Sequence, residues 1–214
     1  MVQVIPAILA QTKEEFVDKV TEIFSFVEMI QIDIMDGKFV PNATWGTPDE
    51  ILELHLPVAF EVHLMVANPE GVVDDWVRAG ARRIIFHIEA TDNPGAVIEK
   101  IRGTPSVPSG REVGIAINPE TPIAALSEWL HLIDYVLVMG VTPGASGQEF
   151  QRKVLKKIRD IKEMRPGIKV GVDGGVNFET AKEIVAAGAD CLNAASAIFD
   201  YPEPEEAIKI LQGI

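Results

Sequence analysis

Cysteine is almost absent from this chain: Cys191 is the only one among 214 residues. An intrachain disulfide and a multi-cysteine zinc cluster are therefore excluded. Basic residues are also scarce, 19 against 32 acidic ones for a formal net charge of −13. A nucleic-acid binder normally carries the opposite balance. No apolar run approaches the roughly 18 residues of a membrane span. The opening MVQVIPAILA has no basic region ahead of an apolar stretch, so no secretory leader is expected. Together these absences point to a cytoplasmic protein that binds neither membrane nor nucleic acid. No GxGxxG follows the first apolar run, which weighs against a dinucleotide-binding sheet. Any phosphorylated ligand must be held by local groups against the overall negative field.

What is present is a repeat of pattern. Short apolar, β-branched runs alternate with amphipathic stretches, in a chain that is 47% hydrophobic and 24% charged. Strands are expected at 2–9, 29–34, 58–65, 83–88, 112–118, 135–139, 169–173 and 191–195. Helices are expected at 13–26, 48–54, 69–79, 94–102, 123–130, 149–163, 178–187 and 203–211. The clearest loop is GTPSVPSG at 103–110. Eight strand-then-helix units predict a parallel sheet, closing as a single-domain (β/α)8 TIM barrel over residues 1–214. An open doubly wound sheet is the competing architecture.

Side chains alternate faces along a strand. In the second expected strand Ile30, Ile32 and Ile34 share one face, which leaves Gln31 and Asp33 on the other. In the third, Glu61, His63 and Met65 oppose Val62 and Leu64; in the seventh, Asp173 opposes Val170 and Val172. The apolar faces suit the helices, so the polar ones point into the barrel. Gln31, Asp33, His63 and Asp173 fall toward the C-terminal strand ends, where barrel active sites form. Any one of them alone is more often a satisfied core group, but four converging at one end favour a site. A divalent metal ion (Zn, Fe, Mn, Co or Mg) would satisfy two carboxylates, an imidazole and an amide oxygen together. His87 reads as a core histidine, Glu61 as a support beneath His63, and Asp36 as a turn residue bonding backbone. Glycine-rich turns at 142–148, 173–177 and 194–196 could cradle a phosphate with backbone N–H groups. The candidates there are Gly144, Ser146, Gly147, Gly174, Gly175, Ala195 and Ser196.

These residues carry a resemblance. PAIL at Pro6, QIDIMDGKFVPN at Gln31, EVHLMV at Glu61 and HIEA at His87 run on to NPETP at Asn118. VLVMGVTPGASGQEF at Val136, VGVDGGVN at Val170 and ASAIF at Ala195 complete the set. The chain resembles the ribulose-phosphate 3-epimerases of the pentose phosphate pathway over nearly its whole length. That resemblance implies a (β/α)8 barrel interconverting D-ribulose 5-phosphate and D-xylulose 5-phosphate. It implies Asp33 and Asp173 as acid/base pair on opposite faces of the substrate, and a metal that stabilises an enediolate. It also implies Met35, Met65 and Met139 as lining of the site, and a homo-oligomer. The chain departs from the family pattern in five places. Gln31 replaces a metal-binding histidine, Ala7 and Ala10 replace serines, TPGASGQ replaces NPGFGGQ, and Ala195 replaces a glycine. A related ketose phosphate such as a hexulose 6-phosphate is the alternative substrate, and a non-catalytic sugar-phosphate-binding barrel the alternative role.

Overall fold

The computed structural model describes residues 2–103, 111–144 and 148–214. Eight parallel strands close in sequence order into a barrel, with β8 pairing back onto β1. They are β1 (Gln3–Ile8), β2 (Met29–Met35), β3 (Ala59–Met65), β4 (Arg83–His87), β5 (Glu112–Ile117), β6 (Tyr135–Met139), β7 (Lys169–Asp173) and β8 (Cys191–Ala194). The helices are α1 (Lys13–Ile23), α2 (Pro48–Glu53), α3 (Val73–Arg78), α4 (Pro94–Arg102), α5 (Val154–Met164), α6 (Thr180–Ala186), α7 (Ser196–Phe199) and α8 (Pro204–Gln212). The expected architecture is the observed one, a (β/α)8 barrel.

The alternation of the strands divides the core in two. Ile30, Ile32, Val62, Leu64, Val170 and Val172 meet the helices in one large outer cluster. A separate inner cluster fills the barrel with Ile5, Met29, Ile85, Tyr135, Leu137 and Cys191. Burial of these apolar faces, at about 25 cal/mol per Å2, is what holds the layers together. Local signals set the helix starts: Thr12 caps α1 through Glu15, and Thr47 with Glu50 forms a reciprocal capping box on α2.

Three helical expectations are corrected. Residues 123–130 form no α-helix but two 3-10 turns, Ile123–Leu126 and Leu130–Leu132. No side chain caps either turn, and Arg165 draws the Leu130 and Ile133 carbonyls away from any helical ladder. The helix expected over 149–163 starts only at Val154. Phe150 is buried, and Gln151 N–H donates to the Gly140 carbonyl at 2.8 Å, which pins that approach to the end of β6. The stretch 69–79 breaks at Val72 into a 3-10 turn and α3, with Asn68 left-handed at φ 58° just before it. The short helix α7 has no counterpart among the expected helices. The expected loop at 103–110 lies outside the described residues apart from Gly103, which ends α4.

Candidate active site

Lateral register assembles the site. Asp33 on β2 lies beside His63 on β3, and Met35 beside Met65. Met139 on β6 lies beside Asp173 on β7, which in turn neighbours Asn193 on β8. These positions open into one pocket at the C-terminal end of the barrel. Its lining includes Asp33, His63, Asp173, Met35, Met65 and Met139 together with Gly144, Gly174, Gly175, Ala195 and Ser196. Among the described residues the pocket lining contains no lysine or arginine. Ser146 and Gly147, the other phosphate candidates, lie outside the described residues.

The glycine turn after β7 is a geometric necessity. Gly174 and Gly175 have φ of 94° and 69°, and a Cβ on Gly175 would fall 2.9 Å from the Phe150 Cα. The turn therefore presents bare backbone to the pocket. Asp36 fixes the loop after β2, accepting from the Lys38, Phe39 and Ala67 N–H groups at 2.9 Å each, in the turn role expected of it.

His63 stands between the two aspartates. Its Nδ1 lies 3.1 Å from Asp33 Oδ1 and 3.2 Å from Asp173 Oδ2, and its side chain is fully buried. Burial alone would lower the His63 pKa, but hydrogen bonds to Asp173 and Asp33 raise it to about 9. Burial, then the charge of Asp173, pushes Asp33 up to about 6, with His63 and Gln31 opposing. One donor atom from each of Asp33, His63 and Asp173 lies within 4.8 Å of the others. Two carboxylates and one imidazole, gathered at that spacing, fit a divalent cation.

Gln31 is brought to the same place with an orientation the sequence did not reveal. Its amide nitrogen, not its oxygen, faces the carboxylates, at 2.8 Å from Asp33 Oδ1 and 2.7 Å from Asp173 Oδ2.

His87, a core histidine by sequence, is wholly buried, but it touches the site directly. Its Nε2 lies 2.9 Å from His63 Nε2, and its Nδ1 lies 3.4 Å from Glu89 Oε2. Burial, with the charge of His63, lowers its pKa to about 4 despite Glu89, which favours the neutral imidazole. The tautomer with its proton on Nδ1, toward Glu89, leaves His87 Nε2 to accept from His63 Nε2 and His63 Nδ1 to face the carboxylates. The alternation of β4, with Arg83, Ile85 and His87 on one face, was the signal available for it. His87→Phe is expected to weaken divalent-metal affinity by about 10–100-fold, the usual cost of losing a partner of a metal-bound histidine. Isothermal titration of the metal-free protein with Mn2+ measures it; unchanged affinity would remove His87 from the site. Asn193 also escapes a reading of the sequence, although a polar residue within the short β8 places it inward with Cys191.

The comparisons with known proteins agree with one another. The family model described as the Ribulose-phosphate 3 epimerase family matches residues 3–199. The ribulose-phosphate 3-epimerase of Treponema pallidum (strain Nichols) is 42% identical over 181 residues, covering 80% of this chain and 79% of that protein. That of Bacillus subtilis (strain 168) is 34% identical over 222 residues, covering 100% and 99%. Among solved structures, KGPDC from Streptococcus mutans aligns at a TM-score of 0.76 with 16% identity, over 100% of this chain and 97% of that one. At that identity the likeness speaks for the fold alone.

Proposed function

The chain belongs to the ribulose-phosphate 3-epimerase family, and from that membership we propose that it interconverts D-ribulose 5-phosphate and D-xylulose 5-phosphate with Asp33 and Asp173 as its acid/base pair. It is a carbohydrate epimerase by family. The observation that carries the mechanism is the convergence of these two carboxylates around His63 at the mouth of the barrel.

Inversion at C3 needs a proton removed from one face and another delivered to the opposite face, which a single side chain does not easily reach. One aspartate takes the C3 proton, and the C–H electron pair moves into a C2–C3 double bond as the carbonyl becomes an enediolate. The carboxyl group of the other aspartate gives its proton to C3 from the far side, and the carbonyl reforms. Asp33, His63 and Asp173 would hold a divalent ion, and such an ion supplies positive charge against oxygen as negative charge develops there. Met35, Met65 and Met139 surround the reacting carbons with apolar, polarisable side chains that keep water away. The phosphate lies against Gly144, Gly174, Gly175, Ala195 and Ser196. In a lining without a basic side chain among the described residues, backbone N–H dipoles supply the positive end. An acidic chain with a single buried cysteine suits work in the cytoplasm, and no helix among the described residues is long and apolar enough to cross a membrane.

Proton NMR of the metal-analysed protein with D-ribulose 5-phosphate in D2O tests the reading. Appearance of xylulose 5-phosphate with deuterium at C3 is the expected result. Deuterium exchange without the new epimer would mean that only one face is served. No exchange with any added divalent ion would overturn the proposed substrate.

A further inference from the structure

A column of buried polar side chains runs up the inside of the barrel and ends on the two aspartates. At its base Arg83 Nη1 donates to Glu61 Oε2 at 2.5 Å, while its Nε donates to Glu112 at 2.7 Å. Asn193 Nδ2 donates to Glu61 Oε1 at 2.7 Å and to Gln31 Oε1 at 2.7 Å. The Tyr135 hydroxyl donates to Asn193 Oδ1 at 3.2 Å. Gln31 Nε2 then donates to both Asp33 and Asp173. Arg83, Glu61, Asn193, Gln31 and Tyr135 are each 1% exposed or less.

The amide orientations in this column follow from the chemistry of its base. Burial pushes the Glu61 pKa up to about 7 while the charge of Arg83 pulls it down, and above that pH Glu61 is an ionised carboxylate that accepts at both oxygens. The Asn193 atom that meets Glu61 must therefore be its nitrogen. That nitrogen also meets Gln31, so the Gln31 atom there must be the oxygen. The Gln31 nitrogen is left to face the aspartates. Rotating the Gln31 amide by half a turn would set nitrogen against nitrogen at Asn193 and oxygen against carboxylate oxygen at Asp33 and Asp173. Each mismatch of that kind would leave a buried polar atom without a partner, so the observed orientation is the one that satisfies every atom of the column.

We propose that Gln31 is not a metal ligand but a hydrogen-donating clamp, which bridges Asp33 and Asp173 and is locked in that role by Arg83, Glu61 and Asn193. The inference rests on the preceding reading that Asp33, His63 and Asp173 hold the ion, and it limits the protein donors to those three. Gln31, Asn193, Glu61 and Arg83 are positioning residues: they act through the carboxylates they orient. Two like charges held side by side repel each other, and the amide hydrogens, with His63, keep them together.

Two measurements test this. Cobalt(II) added to the metal-free wild-type and Gln31→Leu proteins gives visible bands that report the donor set. Coincident band positions are expected, with affinity lowered by about 10–100-fold at most, the range for a residue that orients ligands. Bands that shift on Gln31→Leu would mean that an oxygen ligand has been removed, and would overturn the clamp. The second measurement uses wild type alone, so it stands even if Gln31→Leu fails to fold. In 15N-glutamine-labelled protein, the Gln31 side-chain amide hydrogens are expected to exchange with solvent at least ten-fold more slowly than those of exposed glutamines. This should hold both without metal and after loading with Mg2+. Fast exchange in either state overturns the proposal. Failure of wild type to bind cobalt at all would instead overturn the metal reading, and the amide exchange of the metal-free protein would still decide the clamp.

Discussion

Asp33→Asn and Asp173→Asn are each expected to abolish epimerisation, by about 10²–10⁴-fold from lost proton transfer alone, in a protein that remains folded. Asparagine keeps the shape of the side chain and loses its ability to take or hold the proton. The two variants should differ in one respect. If each aspartate serves one face of C3, the variant that keeps the base for ribulose 5-phosphate still exchanges the C3 proton of that sugar with D2O. The other variant exchanges the C3 proton of xylulose 5-phosphate instead. Complementary exchange without turnover, measured by NMR at matched metal content, is thus the signature of two bases. Full epimerisation by either variant would sink the mechanism, because one residue would then serve both faces.

The second large effect concerns stability. Arg83 is buried beneath the site, ion-paired with Glu61 and Glu112, its guanidinium carbon 3.8 Å from the centre of the Tyr135 ring. Arg83→Met leaves Glu61 as a buried carboxylate without a counter-ion, since Glu61 is wholly inaccessible. The expected loss is about 3–5 kcal/mol of unfolding free energy, read from urea denaturation. Glu112 suffers less, because Lys169 lies 3.0 Å from its other oxygen. The double variant Arg83→Met/Glu61→Leu is expected to recover most of the loss, since an apolar pair of similar volume leaves no charge behind. A double variant as unstable as the sum of its singles would show that the two side chains are not coupled. Gly171 belongs to the same arrangement. A Cβ there would collide with the Tyr135 hydroxyl, so the glycine makes the room in which Tyr135 reaches Asn193.

Much of this was legible in the sequence, for identifiable reasons. Period-2 alternation in β2, β3 and β7 told which side chains enter the barrel, and Asp33, His63 and Asp173 meet there. Glycines at a turn needing positive φ marked Gly174 and Gly175. Alternation does not tell which inward residues become neighbours, because lateral register depends on how the barrel closes. Asn193 meeting Gln31 and Glu61 across 162 and 132 positions of sequence was therefore out of reach. So was the contact of His63 with His87, one strand over. The amphipathic pattern of 123–130 misled because apolar spacing alone does not supply the caps and free carbonyls that a helix needs. Phe150 misled in a similar way: its spacing suits the expected helix, but its backbone packs against the glycine turn after β7, ahead of the helix start at Val154.

The column from Arg83 to the aspartates also bears on how the chain reaches its folded state. It joins residues of β2, β3 and β4 to residues of β7 and β8, and β8 completes the ring against β1. No half of the barrel contains it. Such distant pairings carry their loop-closure cost before they return any stabilisation, which makes them slow. Under the proposed function, competence to bind an ion at Asp33, His63 and Asp173 is expected to arise only once β2 and β3 stand opposite β7. Ion uptake during refolding is therefore expected to lag behind helix formation, which needs only local contacts.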